Sequence, residues 1–422
     1  MWVLELNDTE ISLAEDLNVV YQQPGVAVIL EDHVSFGDAA LEQSRLHPRQ
    51  AQTQHWQRLN ADPVSIKHRS IKNYADLAYQ HLCEIKRISK LPSDERVLVA
   101  VPSNTSPDQL SLLLGIAQEA SIQIAILADL AVVTASTLPI SGRCTFLDNG
   151  FHRTVLTHLE INGSVSRRSS SEAIESGFQS LIEGWIDAVA DLFVQETRFD
   201  PLRIANTEQQ VFNQIIENLA SSKDEFTVEV SHADESRRVN VARSLLATKS
   251  RQRLDALLHQ IGDPTTLVLS HRIARVPGLI QALRAGGHEV SVVEPNALFS
   301  AAMAYETNPL QPEDGINFVT EVVSAGSQVE LAGPPPLVPT HLLHGTEATS
   351  LNDIVAGQNP SSTKALGFRI EYVAKGYRVV AAAEAQVKIN GVVVESSASV
   401  MIGDIVRSEG EEFQLIRVVE HG

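Results

Sequence analysis

Two strand–helix–strand units, far apart along one chain, constrain this sequence more than any other feature. In the first, Arg96–Val101 is nearly all apolar, as a strand buried on both faces must be. A helix start follows it: Ser106 suits the N-cap, Pro107 the first helical position, and Gln109 completes a capping box. Leu110, Leu113, Leu114 and Ala117 then share one face, and Ser121–Leu127 reads as the next strand. In the second unit TTLVLS is a strand, Pro277 opens a helix carrying Leu279, Ile280 and Leu283, Gly286 and Gly287 stop it, and HEVSVVE returns as a strand. The repetition predicts two related α/β lobes. Between the units, Ser176–Glu196 and Glu208–Leu219 have helical periodicity.

From Ala325 to Pro339 the texture changes to Gly and Pro, which favours a stiff, extended connector. Short β-like runs follow, and Asn390-Gly391 within VKINGVVV is a strong hairpin signal. The expected organisation is an α/β region over 1–325, with lobe I near 1–142 and lobe II near 143–325, a Pro-rich connector at 326–339, and a small all-β domain over 340–422.

A net charge of -19 over 422 residues argues against nucleic acid or an anionic membrane as the main partner, because both repel a chain without a basic face. Arg167-Arg168 and Arg237-Arg238 are too short to overturn this and read as solvated surface. With only Cys83 and Cys144 there is no disulfide framework and no metal-ligand spacing. MWVLELND has no basic segment leading into an apolar one, so a secretory leader is not expected, and a reducing cytoplasm is the default. The apolar run Ser121–Ile140 contains Asp129 and Pro139, and reads as a buried strand entering a helix rather than a membrane span.

The loop LSHRIARVP, Leu269–Pro277, resembles the adenosine loop of the 70-kDa heat-shock chaperones, members of the actin-like ATPase superfamily. Leu269, Arg275 and Pro277 match, while the paired glycines are His271 and Arg272. Those two side chains read either as filling the adenosine slot or capturing another anion, or as exposed loop residues. VLELNDTEISL resembles the first phosphate hairpin, with Glu5 at its acidic position and Asn7, Asp8 and Thr9 where glycine and threonine wrap the phosphates. A carboxylate such as Asp8 about 4 Å from a phosphate charge costs about 4 kcal/mol at an effective dielectric near 20.

The run PGVAVILEDHVSFGDAALEQSRLHP resembles the segment after that hairpin, and HWQRLN resembles the family's lysine-arginine-leucine motif. Gln57 stands where the lysine would stabilise the γ-phosphate, so no countercharge is supplied. ILADLAVVTA resembles the segment presenting an acid to magnesium-bound water, with Asp129 there. FLDNGFHRT resembles the second phosphate loop through Asp148, Gly150 and Thr154, with Phe151 and His152 in place of further glycines. His152 and His158 read as ordinary loop and strand histidines. TRFDPLRIANTEQQVF resembles a segment of a divergent bacterial chaperone-like subgroup; there an Arg198–Asp200 ion pair and a helix starting at Asp200-Pro201 are expected. INGVVVESSASVMIGDIVRSEGEEFQLIRV resembles the last strands of a forkhead-associated β sandwich, without that family's arginine, serine and histidine phosphothreonine readers in place.

The resemblance implies a two-lobed actin-like fold of duplicated mixed sheets whose nucleotide contacts have degenerated. Glu5, Gln57, Asp129 and Asp148 would be the degenerate catalytic positions. Asn7, Asp8, Thr9, Asp148, Gly150, Thr154, His271 and Arg272 would line a vestigial cleft. Glu5, Asp129 and Asp148 could converge on a hydrated Mg²⁺. The function expected is a pseudo-ATPase scaffold or assembly factor without a required cofactor, holding a protein partner through its β domain. The alternatives are a chaperone retaining weak Mg-ATP binding and hydrolysis, and a small-molecule kinase, for which no substrate motif is visible.

Overall fold

The computed structural model describes residues 1–221, 223–306, 318–324, 339–355, 367–373, 376–382, 385–394 and 396–416. The expected connector, apart from Pro339, lies outside them. The chain forms two compact units, Met1–Ser327 and Gln328–Gly422.

The larger unit is mixed α/β and holds two six-stranded sheets. The first runs, in spatial order, Phe318–Val319, Gln123–Asp129, Arg96–Val101, Trp2–Asn7, Glu10–Glu15 and Asn18–Gln23. The second runs Glu289–Val292, Thr266–Leu269, Gly142–Asn149, Thr154–Ile161, Ser164–Ala173 and Glu321–Val323. In each, three antiparallel strands form a meander, and two parallel strands extend it from the meander's first strand. Each sheet also takes one short strand from 318–323: Phe318–Val319 pairs with Gln123–Asp129, and Glu321–Val323 with Ser164–Ala173. The segment assigned to lobe II by sequence thus returns a strand to the first sheet.

Local chemistry explains the parallel crossovers. Ser106 accepts from the Gln109 backbone N–H at 3.3 Å and Gln109 Oε1 accepts from the Ser106 N–H at 2.9 Å, closing the capping box before helix Pro107–Glu119. Beyond the helix's last residue, Glu119, and its cap Ala120, Ser121 adopts a left-handed φ of 55°, so the next strand starts later than the apolar pattern suggests, at Gln123, and carries Asp129 as its last residue. In the second unit of the pattern, Ser270 caps a short helix His271–Ala274, and Gly278, at φ 81°, turns the chain into helix Leu279–Ala285. Helix Leu130–Ala135 lies in a core shared by both sheets, with Val3 and Leu98 from one and Phe146 and Val268 from the other.

The 197–212 motif differs in detail from its sequence reading. Arg198 ends helix Phe178–Thr197 in a left-handed conformation, and Asp200 caps the 3-10 turn Pro201–Arg203. Asp200 therefore pairs with Arg203 at 3.2 Å instead of Arg198, and the α-helix begins at Ala205.

The smaller unit has a six-stranded and a three-stranded antiparallel sheet. Leu342, Val406 and Phe413 from one, and Ile370, Val379 and Val400 from the other, share a single core. The Asn390-Gly391 hairpin forms as its residues require, and Asn390 also donates to Asp404 at 2.8 Å. Among the described residues no helix is long and apolar enough to cross a membrane.

Candidate functional site

Each of two central strands of the larger unit carries a carboxylate near its end: Glu5 in the strand closing at Asn7, and Asp148 in the strand closing at Asn149. Side chains this deep need partners, since a buried unpaired charge is very costly. Both find one in Arg272. Its Nη2 lies 2.6 Å from Glu5 Oε1 and 3.0 Å from Asp148 Oδ2, and its Nε donates to Asp148 Oδ1 at 3.1 Å. Asn7 donates to Asp148 Oδ2 at 2.8 Å.

Two acids share one guanidinium, and their surroundings separate them. Burial alone would raise Asp148, but the Arg272 charge and hydrogen bond, with bonds from Ser270 and Asn7, outweigh it and hold Asp148 below the usual carboxylate range. Burial wins at Glu5, which has fewer donors, and pushes it above that range. His271 is likewise buried and faces Glu10 at 2.6 Å, with Arg275 on the other Glu10 oxygen at 3.2 Å. Burial would raise Glu10, but the hydrogen bond and charge of His271, with Arg272 and Arg275, bring it down to about 2. His271 and Arg272 are thus not exposed loop residues; the Ser270 cap turns them inward.

Asp8 and Thr9, read from the sequence as phosphate-hairpin positions, bond to the facing turn. Asp8 Oδ1 accepts from the Phe151 N–H at 2.7 Å, and burial lifts Asp8 to about 6 despite that bond. The Thr9 hydroxyl lies 2.6 Å from Asn7 Oδ1 and 2.9 Å from the Asn149 carbonyl. Thr154 is buried and donates to the Ser176 carbonyl at 2.9 Å. At Gly150 a Cβ would stand 3.1 Å from both Asp8 Oδ1 and the Arg153 carbonyl, so a larger residue would crowd these neighbours. Phe151, in contrast, is buried against Val26, Val28 and Phe178. Gln57 stands beside Arg153, which is paired with Glu172. His152 contacts Thr53 from its loop, and His158 contacts Thr145 from its strand.

Asp129 does not join this group. It stands at the end of a strand two removed from Trp2–Asn7, about 10 Å away at ordinary strand spacing. There it caps helix Leu130–Ala135, accepts from Ser103 at 2.8 Å, and pairs with Arg167 at 2.8 Å. Arg167 is accordingly not solvated surface, although Arg168 is exposed and pairs with Glu160. No group of three or more His, Cys, Asp or Glu among the described residues could hold a metal ion.

A hydrated magnesium with its triphosphate fits these residues poorly. The carboxylates that would face the ion already hold guanidinium groups, and the turns that would expose backbone N–H groups carry Asp8 and a buried Phe151. Arg272 is the residue whose role sequence reasoning missed, along with Arg167 and Arg45. Arg45, in the segment after the phosphate hairpin, reaches Glu183 at 2.7 Å and Glu208 at 3.3 Å, and its guanidinium lies 4.7 Å from the Phe212 ring centre. Arg45 N–H also donates to Gln209 Oε1 at 2.7 Å, so the 197–212 motif supplies three of its partners. A scan against models of known protein families finds no match to this chain, and a search of curated proteins finds none either.

Proposed function

We propose that the larger unit is an actin-like, heat-shock-chaperone-like domain whose cleft is occupied by its own cations, and that the chain works as a non-catalytic scaffold or assembly factor. The observation carrying this reading is the Arg272 guanidinium bonded to both Glu5 and Asp148. A positive side chain there supplies internally the charge that a metal ion would bring to these two carboxylates. The repeated sheet order favours the actin-like reading over an unrelated α/β fold. Partner contact falls to the smaller unit, a forkhead-associated-like β module in this reading, where Tyr372, Val392 and Met401 are exposed large apolar side chains.

Thermal unfolding with Mg-ATP tests this directly. A ligand at a hundredfold over its Kd stabilises a fold by about 2.7 kcal/mol, so millimolar Mg-ATP is expected to leave the melting temperature unchanged. A clear upward shift, or phosphate release abolished by Asp148→Asn, would instead establish the ATP-dependent chaperone. Phosphate transfer to a small acceptor would establish the kinase. Capture of a partner by the full chain but not by a chain ending at Ser327 is the expected result for the smaller unit's role.

A further inference from the structure

Apart from the two large sheets, strands Glu225–His232 and Glu235–Ala242 form an antiparallel hairpin whose two edges differ. Its buried face, with Val228, Val230, Val239 and Val241, joins the core around helices Phe178–Thr197 and Ala205–Leu219, and the alternate residues face solvent. The outer edge of the first strand is closed by side chains. Gln214 accepts from the Glu229 N–H at 2.9 Å and donates to the Glu229 carbonyl at 2.7 Å. Gln210 does the same at Ser231, at 2.8 and 3.1 Å. Each glutamine thus stands in for a neighbouring strand.

Those bonds also fix where the second strand's backbone points. Glu229 and Ser231 turn their N–H and C=O groups away from the hairpin, so their partners Arg238 and Ser236 turn theirs away on the opposite side, as does Asn240 two residues on. Ser236, Arg238 and Asn240 are exposed, and no group among the described residues bonds to this outward backbone. The second edge is open to pairing.

Charge restricts what could pair there. Residues 237–253 hold six Lys or Arg and no Asp or Glu, in a chain with 52 acidic residues against 33 basic ones. Within the hairpin Arg237 is engaged by Glu235 and the Phe199 ring, and Glu229 by the Ser236 hydroxyl. Arg238 has no carboxylate in reach among the described residues. An added strand would lie about 5 Å from Arg238's strand and about 10 Å from that of Glu229. With a screening length of about 8 Å, attraction to Arg238 outweighs repulsion by Glu229. A second copy paired at this point would set Arg238 against itself, which disfavours self-association.

We propose that the outer edge of Glu235–Ala242 takes an extended acidic segment of a partner protein as a third antiparallel strand, bonded to the backbone of Ser236, Arg238 and Asn240, with a carboxylate against the Arg238 guanidinium. This contact lies on the larger unit, is separate from any made by the smaller one, and stands whether or not the domain is actin-like.

The probe is a capped peptide of alternating valine and glutamate, eight residues long to match the strand, labelled with fluorescein and titrated with full-length protein by fluorescence anisotropy. Three labelled comparisons test its features: lysine in place of glutamate, N-methylation of the glutamates, and an oligothymidylate of similar charge. The glutamate peptide is expected to bind at protein concentrations below a millimolar, with each comparison weaker by about tenfold or more. The lysine peptide loses the carboxylate, and the other two keep negative charge but lose the backbone ladder. Arg238→Glu, at an exposed position, is expected to retain the unfolding midpoint and to reverse the preference in favour of the lysine peptide. Absence of glutamate-peptide binding would overturn the proposal. So would an N-methylated peptide or oligothymidylate that binds as tightly, which would mean charge without strand pairing, or an unchanged preference in the Arg238→Glu variant.

Discussion

Arg272 and Arg167 are two arginines that join the two sheets of the larger unit, and they differ in how completely they are matched. Arg272 faces two carboxylates, and its side chain is 5% exposed. Arg167 faces one, Asp129, has the Ser103 carbonyl as a second acceptor at 2.8 Å, and is 22% exposed. The first arrangement leaves an excess acid in a dry place; the second is balanced and partly wet. The comparison teaches that the Glu5–Asp148 pair depends on its internal cation far more than Asp129 does, because removing a partner from a buried pair costs more than the pair itself contributes.

The sharpest way to break this comparison is Arg272→Met. With Glu5 and Asp148 left facing each other, the loss of unfolding free energy is expected at about 3 to 5 kcal/mol at neutral pH, read by urea titration. Adding Glu5→Gln and Asp148→Asn to that variant should recover most of it, since the cost lies in the abandoned charges. A loss in the single variant no larger than that of a surface substitution would show that water reaches the carboxylates. Arg167→Met sharpens the contrast at a lower level. Asp129 keeps its bonds from Ser103 and from the Ala131 and Val132 N–H groups, so the expected loss is about 2 kcal/mol.

The strand–helix units, the Ser106 capping box and the Asn390-Gly391 hairpin were legible in the sequence because each rests on residues within a few positions of one another. Glu5 and Asp148 were singled out as candidate acids by resemblance, and both lie near the ends of buried strands, which close at Asn7 and Asn149. Their shared partner was not legible, because Arg272 lies 124 residues from Asp148 and only the assembled sheets bring them together. Asp129 was grouped with them by resemblance, yet strand order sets it two strands away, beside Arg167. Arg167-Arg168 was not legible either, because the pair falls where the strand register shifts and Arg168 is the extra residue, so regular alternation does not say which arginine points inward. The Asp200 pairing depended on a cap that places Arg203, three residues on, within reach.

Arg45 extends the comparison to the rim, where two carboxylates again share one arginine but its side chain is 14% exposed. Arg45→Ala removes two ion pairs and the contact with the Phe212 ring, for an expected loss of about 1 to 2 kcal/mol. Arg45→Lys should recover little, since a compact ammonium cannot reproduce the planar stacking.

The smallest effect expected is a gain, and its pH dependence tests whether Asp8 belongs to the dry centre or the wet rim. Burial raises Asp8 from 3.8 to about 6 in the folded chain. The folded state thus binds this proton more tightly than the unfolded state, so the residue favours folding below pH 3.8 and that advantage is lost as pH rises through about 6. Asp8→Asn removes the charge while leaving an oxygen to accept from the Phe151 N–H. Partial solvent contact discounts the full shift, leaving an expected gain of about 1 kcal/mol at pH 8, shrinking as pH falls through 6 and absent near pH 4. Urea midpoints of the variant and the parent at those pH values measure it. A constant difference across the range would mean that Asp8 is solvated like an ordinary surface aspartate, and the dry zone around Arg272 would then end short of the turn at Asp8.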